Sequence, residues 1–364
     1  MIVDSHAHVF QNWLTNCGHQ EKETHLKFLQ KTMTRPSAKV FRARDGKEIS
    51  ERLLFREGDN SWKGMRTDVN FRISDFGRLA FSLEGEEYFV QYMPVGMAVI
   101  ESPPEHLLAQ MINAEVDHCV LQAGMTYGVM NDYNAFAQSQ YPDKFTALLA
   151  VDDPMAYTPE NMKEVERAFH TLGMKGIYYG LDSYSRYGFE WAFDDKRLDD
   201  FWELIASLDI PVFIEASAVP EYDEASYIAN MVRLDGLLTR YPQMRWLLVM
   251  GVPVGFFGQD GRHNFPAEVE RAYSRENLQI ELTYPIIWGG KWDYPYPEAQ
   301  AYIRDLKEKF GASKLIWGSD MPNVERFCTY RQCVDYVRNY CDFLTGSEKE
   351  QILGGNLADL CRIQ

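Results

Sequence analysis

At 364 residues and 42.2 kDa the chain exceeds a single small sandwich and suits one large α/β barrel, a fold of about 250 residues plus insertions. Its 53 acidic and 37 basic side chains give a net charge of -16 and a pI near 5.0, a negative field that repels nucleic-acid phosphates and anionic lipid head groups. Nothing in the opening residues has the layout of a secretory leader and no apolar run reaches membrane-spanning length, so the expectation is a cytoplasmic protein that engages neither nucleic acid nor membrane.

The chain opens Met1-Ile2-Val3-Asp4-Ser5-His6-Ala7-His8. In an extended strand residues two apart share a face, so this run presents two imidazoles in one direction with Asp4 behind them. With only 8 histidines in the chain, a His-x-His at the end of the first strand reads as half of a metal site. Residues 11–100 then break the pattern with a charged helical piece, a basic stretch and an Arg/Asp/Gly-rich segment. This is an insertion expected to cover the mouth of the fold or to make a subunit contact.

From residue 100 onward apolar runs alternate with amphipathic ones. Strands are predicted at 2–6, 118–122, 146–151, 174–179, 210–215, 245–250, 278–283 and 313–319, and helices at 105–115, 159–172, 196–208, 224–240, 297–310 and 329–340. Eight strands alternating with helices predict a parallel sheet closed into a single (β/α)8 TIM barrel spanning 1–364. A doubly wound open sheet lacks its Gly-rich fingerprint here.

Barrel active sites lie at the C-terminal strand ends. Strand one ends in His6 and His8, strand three in Asp152 and Asp153, strand four in Tyr178 and Tyr179, strand five in Glu215, and strand eight runs through Asp320. His6, His8, Glu215 and Asp320 converge in this reading on one divalent metal, Zn, Mn or Fe. Asp152 and Asp153 cap a turn before Pro154; Tyr178, Tyr179, Tyr284 and Trp288 pack at the mouth or line a pocket. His118, His106, His170, His19 and His25 are assigned structural places. Cys17, Cys119, Cys328, Cys333, Cys341 and Cys361 form no C-x-x-C pair and read as free thiols.

The segments Asp4-Ser5-His6-Ala7-His8 and Trp317-Gly318-Ser319-Asp320-Met321-Pro322 resemble the amidohydrolase superfamily. So does the tail from Thr329-Tyr330-Arg331-Gln332 to Leu353-Gly354-Gly355-Asn356. The similarity is to the amidohydrolase-related group that includes aminocarboxymuconate-semialdehyde and resorcylate-type decarboxylases, and it covers about residues 1–10 and 100–364. It implies that His6, His8 and Asp320 bind the metal and that Asp320 also handles a proton. Two family positions differ. Strand five usually ends in a histidine where this chain has Glu215, and strand six usually ends in a histidine where it reads Val249-Met250-Gly251; His263, on the following loop, is the one candidate substitute.

The resemblance implies a metal-dependent hydrolase or non-oxidative decarboxylase of a small organic acid, in a homo- or hetero-oligomer, with Asp320 as general base. Two alternatives follow from the altered positions. Glu215 and the stretch Tyr88-Phe89-Val90-Gln91-Tyr92-Met93-Pro94 are similar to the minority of this fold that act as non-haem Mn/Fe oxygenases, the aminoisobutyrate hydroxylases. The missing strand-six histidine fits a non-catalytic partner subunit.

Overall fold

The computed structural model describes residues 1–33, 38–49, 53–56, 61–217 and 223–363; parts of the expected insertion, 34–37, 50–52 and 57–60, lie outside them. Eight parallel strands follow one another around a nearly closed barrel: β1 (Val3–Ala7), β2 (His118–Leu121), β3 (Phe145–Leu149), β4 (Gly176–Gly180), β5 (Val212–Glu215), β6 (Trp246–Leu248), β7 (Leu278–Leu282) and β8 (Leu315–Trp317). All eight overlap the predicted runs, with ends shifted by at most two residues. The reason is visible in how they bury: Val3, Val120, Leu148, Tyr178, Phe213, Leu247 and Ile316 pack together along the axis, while Leu121, Leu149, Ile177, Ile214, Leu248 and Ile280 join the larger core under the helices. A strand buried on both faces needs apolar residues at every position, which gives continuous hydrophobic runs.

The outer helices begin and end on local signals. Helix Pro159–His170 starts with Pro159 in its first turn and Thr158 accepting from the Asn161 amide. Helix Glu224–Arg240 starts on Asp223, which accepts from the Ser226 amide. Helix Tyr330–Arg338 has a reciprocal capping box between Thr329 and Gln332.

The barrel closes between β1 and the segment just past β8. Asp320 N donates to His6 O (2.8 Å), His8 N donates to Met321 O (2.8 Å), and Ala7 and Met321 form a parallel bridge. Asp4 braces this seam from behind, accepting from Ser319 N (2.9 Å), Ser319 Oγ (2.5 Å), Tyr330 Oη (2.6 Å) and His6 N (2.9 Å). The pairing of β1 with β2 is irregular between Asp4 and Ala7, so the two-residue alternation is interrupted there and both Ser5 and His6 reach the same neighbour, Glu281.

Residues following β1 fold as helix Lys22–Thr32 and a five-stranded antiparallel sheet, in the order Glu48–Ile49, Val40–Arg42, Glu86–Gln91, Arg78–Leu83, Arg72–Ser74. The helix falls on the charged helical stretch expected after strand one, and the sheet was not expected. The insertion's core, which includes Phe10, Trp13, Leu29, Leu79, Phe81 and Val90, also takes in Ala123, Tyr127 and Met130 from the loop after β2. Val129 N donates to Cys17 O (2.9 Å), and the approach is so close that a Cβ on Gly18 would strike Val129 O and one on Gly128 would strike Cys17 O. Glycine is required at both positions by this contact and by their positive φ.

Candidate metal centre

His6, His8 and Asp320 are buried, and one ligand atom from each lies within 4.8 Å of the others. His8 Nε2 is 3.1 Å from Asp320 Oδ1 and His6 Nε2 is 3.7 Å from the same oxygen. Each ring is held from its far side. His8 Nδ1 lies 2.9 Å from Gln122 O, a group that can only accept, so the neutral ring carries its hydrogen there and leaves the Nε2 lone pair free. His6 Nδ1 lies 3.1 Å from Glu281 Oε2. Both Nε2 atoms are therefore aimed at one point beside the Asp320 carboxylate.

Glu281 escaped the sequence reading. It is fully buried in β7 and accepts from Ser5 Oγ (2.6 Å) and Met250 N (2.8 Å) besides meeting His6. A carboxylate behind a ligand histidine fixes the ring and raises its basicity. The signal available was its place in Leu278-Gln279-Ile280-Glu281-Leu282, where a charged residue alternates with buried aliphatics.

The charges in this site favour a cation. Burial works against a charged His6, but Glu281 and Asp320 outweigh it and push its pKa up to about 9. Burial alone would raise the Asp320 carboxyl, yet His6 and His8 hold it below the usual carboxylate range. Burial raises Asp4 to about 6 against four hydrogen bonds that lower it. Two imidazole nitrogens and a carboxylate oxygen, with their outer atoms already bonded, are a donor set that fits Zn, Mn or Fe.

Two further residues touch this group. Asn323, in the turn Asn323–Arg326, donates Nδ2 to Asp320 Oδ1 (2.7 Å) and to Tyr127 Oη (2.6 Å). Tyr127 stacks on the His8 ring at 4.2 Å and 22°.

Glu215 does not belong to the three-residue group. It sits half-buried at the end of β5, where it accepts from Tyr178 Oη (2.5 Å) and Ser217 Oγ (3.4 Å). β6 brings no imidazole: Val249 is packed in the barrel interior. His263 is not a substitute: it lies outside the three-residue group, with its Nδ1 paired to Asp305 (2.9 Å) and its ring flanked by Phe265 and Tyr302. Asp152 pairs with the buried Arg186, whose guanidinium lies over Phe28 (4.7 Å) and Trp62 (5.3 Å) of the insertion. His118 bonds Asp143 O and Thr146 Oγ1 at the opposite end of the barrel. Among the described residues no helix is long and apolar enough to cross a membrane.

Barrels of this kind carry their functional groups at the C-terminal strand ends, where this chain has the His-x-His of its first strand and an aspartate just past its eighth. The chain belongs to the amidohydrolase family, whose model matches residues 3–362. It is similar to L-fucono-1,5-lactonase of Burkholderia ambifaria, 29% identical over 136 residues, a match that takes in 34% of this chain and less than half, 43%, of that enzyme. The fold is similar to a probable 2-pyrone-4,6-dicarboxylic acid hydrolase from Acinetobacter baumannii (TM-score 0.53, 20% identity, 72% of this chain and 90% of that one). It is also similar to a 5-carboxyvanillate decarboxylase from Novosphingobium aromaticivorans with bound manganese (TM-score 0.51, 16% identity, 70% and 80%).

Proposed function

We propose that this chain is a divalent-metal-dependent enzyme that hydrolyses or decarboxylates a small oxygen-rich organic acid, with the metal held by His6, His8 and Asp320. The observation that carries the reading is the aim of both Nε2 atoms at one carboxylate oxygen, each ring anchored by an acceptor behind it. Two of the similar proteins support the substrate class, one named for a pyrone dicarboxylate and one for a carboxyvanillate, while the third is named for a sugar lactone, an internal ester. All three are compact and oxygen-rich.

A divalent ion at this position supplies Lewis-acid chemistry, polarising a substrate oxygen or making water more acidic. The protein's own groups do the rest. Glu281 and the Gln122 carbonyl keep the two imidazoles in one tautomer and one orientation. Asp320, anionic and held by Asn323, is placed to take up a proton as general base. In this reading Glu215, hydrogen-bonded to Tyr178, is a substrate-facing carboxylate on a different strand end from the ligands. The insertion's core packs against Tyr127, the residue stacked on His8, which places the insertion beside these groups. The oxygenase alternative rested on Glu215 and on the stretch Tyr88-Phe89-Val90-Gln91-Tyr92-Met93-Pro94, and Glu215 lies outside the three-residue group.

The test is dialysis against a chelator followed by assay on carboxylated phenols, pyrone carboxylates and sugar lactones before and after return of Zn, Mn or Fe. Turnover that vanishes with the metal and returns with it supports the proposal. Turnover indifferent to chelation contradicts it.

A further inference from the structure

Asn323 has two amide hydrogens and both are used, one on Asp320 Oδ1 (2.7 Å) and one on Tyr127 Oη (2.6 Å). The amide orientation is fixed by its neighbour, since the opposite one would set a carbonyl oxygen against the Asp320 carboxylate. Asn323 Oδ1 is buried without a partner among the described residues. An unpaired buried acceptor has a cost, and it is tolerated here while the nitrogen serves two acceptors. Tyr127 in turn lies flat on His8 at 4.2 Å. Asn323 comes from the loop after β8, Tyr127 from the loop after β2 and His8 from the end of β1, so one chain of contacts ties three strand ends to two of the metal-binding side chains.

We propose that Asn323 and Tyr127 form a clamp that sets the directions of the Asp320 carboxylate and the His8 imidazole toward the metal. The inference rests on the metal reading given above. Both are positioning residues. Asn323 stops the Asp320 carboxylate from turning about its terminal bond, and Tyr127 prevents the His8 ring from tilting away from it. Glu281 does the same for His6 from the other side of the seam, so each of the three ligand side chains has its own support.

The test is titration of the metal-free full-length protein with Co2+, read by visible absorption, because the intensity and position of the cobalt bands report ligand geometry independently of turnover. Wild type is expected to bind Co2+ with a defined spectrum. Asn323→Ala is expected to weaken binding about 10- to 100-fold, the range for losing a group that supports a ligand, and to change the bands. Tyr127→Phe keeps the ring stack and loses only the hydroxyl, so it is expected to show a smaller loss with the same direction of spectral change. This variant decides the matter if Asn323→Ala does not fold. A wild-type chain that binds Co2+ while the folded variants match it in affinity and spectrum overturns the clamp alone. A wild-type chain that takes up no Co2+ overturns the metal reading and the clamp with it.

Discussion

His6 and Asp320 meet twice. Asp320 N donates to His6 O at 2.8 Å, closing the barrel, and the Asp320 carboxylate lies 3.7 Å from His6 Nε2, forming the site. The seam of the fold and the candidate metal centre are one structure. Asp320 holds a positive φ of 63°, a conformation that costs an ordinary residue about 1 kcal/mol or more and persists where surrounding bonds demand it. Here Ser319, Asp4 and Tyr330 form that surrounding network.

Glu281→Gln tests the support behind His6. The amide keeps the size but not the charge, so metal affinity is expected to fall about 10- to 100-fold. Glu281→Ala leaves Ser5 Oγ, Met250 N and His6 facing a buried void, and breaking a buried, bonded charge of this kind costs about 3–5 kcal/mol. Urea unfolding of the metal-free proteins measures the second effect. A loss below about 1 kcal/mol would show that Glu281 is not holding the seam.

Glu215→Gln separates ligand from pocket residue. Glu215 lies outside the three-atom group and accepts from Tyr178, so the expected outcome is unchanged metal content with impaired turnover. A sharp fall in bound metal would return Glu215 to the coordination set and revive the oxygenase alternative.

The acid limb of stability carries a signature from His25. Burial lowers its pKa from 6.5 to about 4, against a hydrogen bond with the Thr126 carbonyl. Below pH 6.5 the unfolded chain takes a proton that the folded chain refuses until about pH 4. Stability is therefore lost as pH falls from about 6.5 to about 4, by on the order of 3 kcal/mol from this group. His19, lowered by burial and by Arg186, contributes in the same direction. His25→Gln, unfolded in urea at pH 7 and pH 5 in a chelating buffer, is expected to lose less stability between the two than wild type does. Equal losses would contradict the assignment.

The barrel was legible in the sequence because burial on both faces writes long apolar runs, and the cluster of His6, His8 and Asp320 because these residues sit in short motifs at strand ends. Glu281 was not, since a single carboxylate in a strand has no motif and its partners Ser5 and Met250 are 276 and 31 residues away in the chain. Asn323 and Tyr127 are separated by 196 residues and only the closed fold joins them. The insertion sheet was hidden by its own surface. Its strands are two to six residues long, and their charges, which read as loop, form ion pairs such as Arg72 with Glu87 across the sheet (2.5 Å) and Glu48 with Lys39, just before a strand (3.2 Å). Arg78 lying over Phe89 at 4.4 Å covers an aromatic that would otherwise have marked a buried face.

Metal analysis of wild type and Asp320→Ala, purified side by side from the same Zn-, Mn- and Fe-supplemented culture, tests the central claim most directly. The account predicts about one equivalent of a divalent transition metal in wild type and a small fraction of that in the variant, because a site of three protein ligands does not survive the loss of its only carboxylate. A wild type free of metal, or a folded Asp320→Ala chain that retains the same amount, would contradict it.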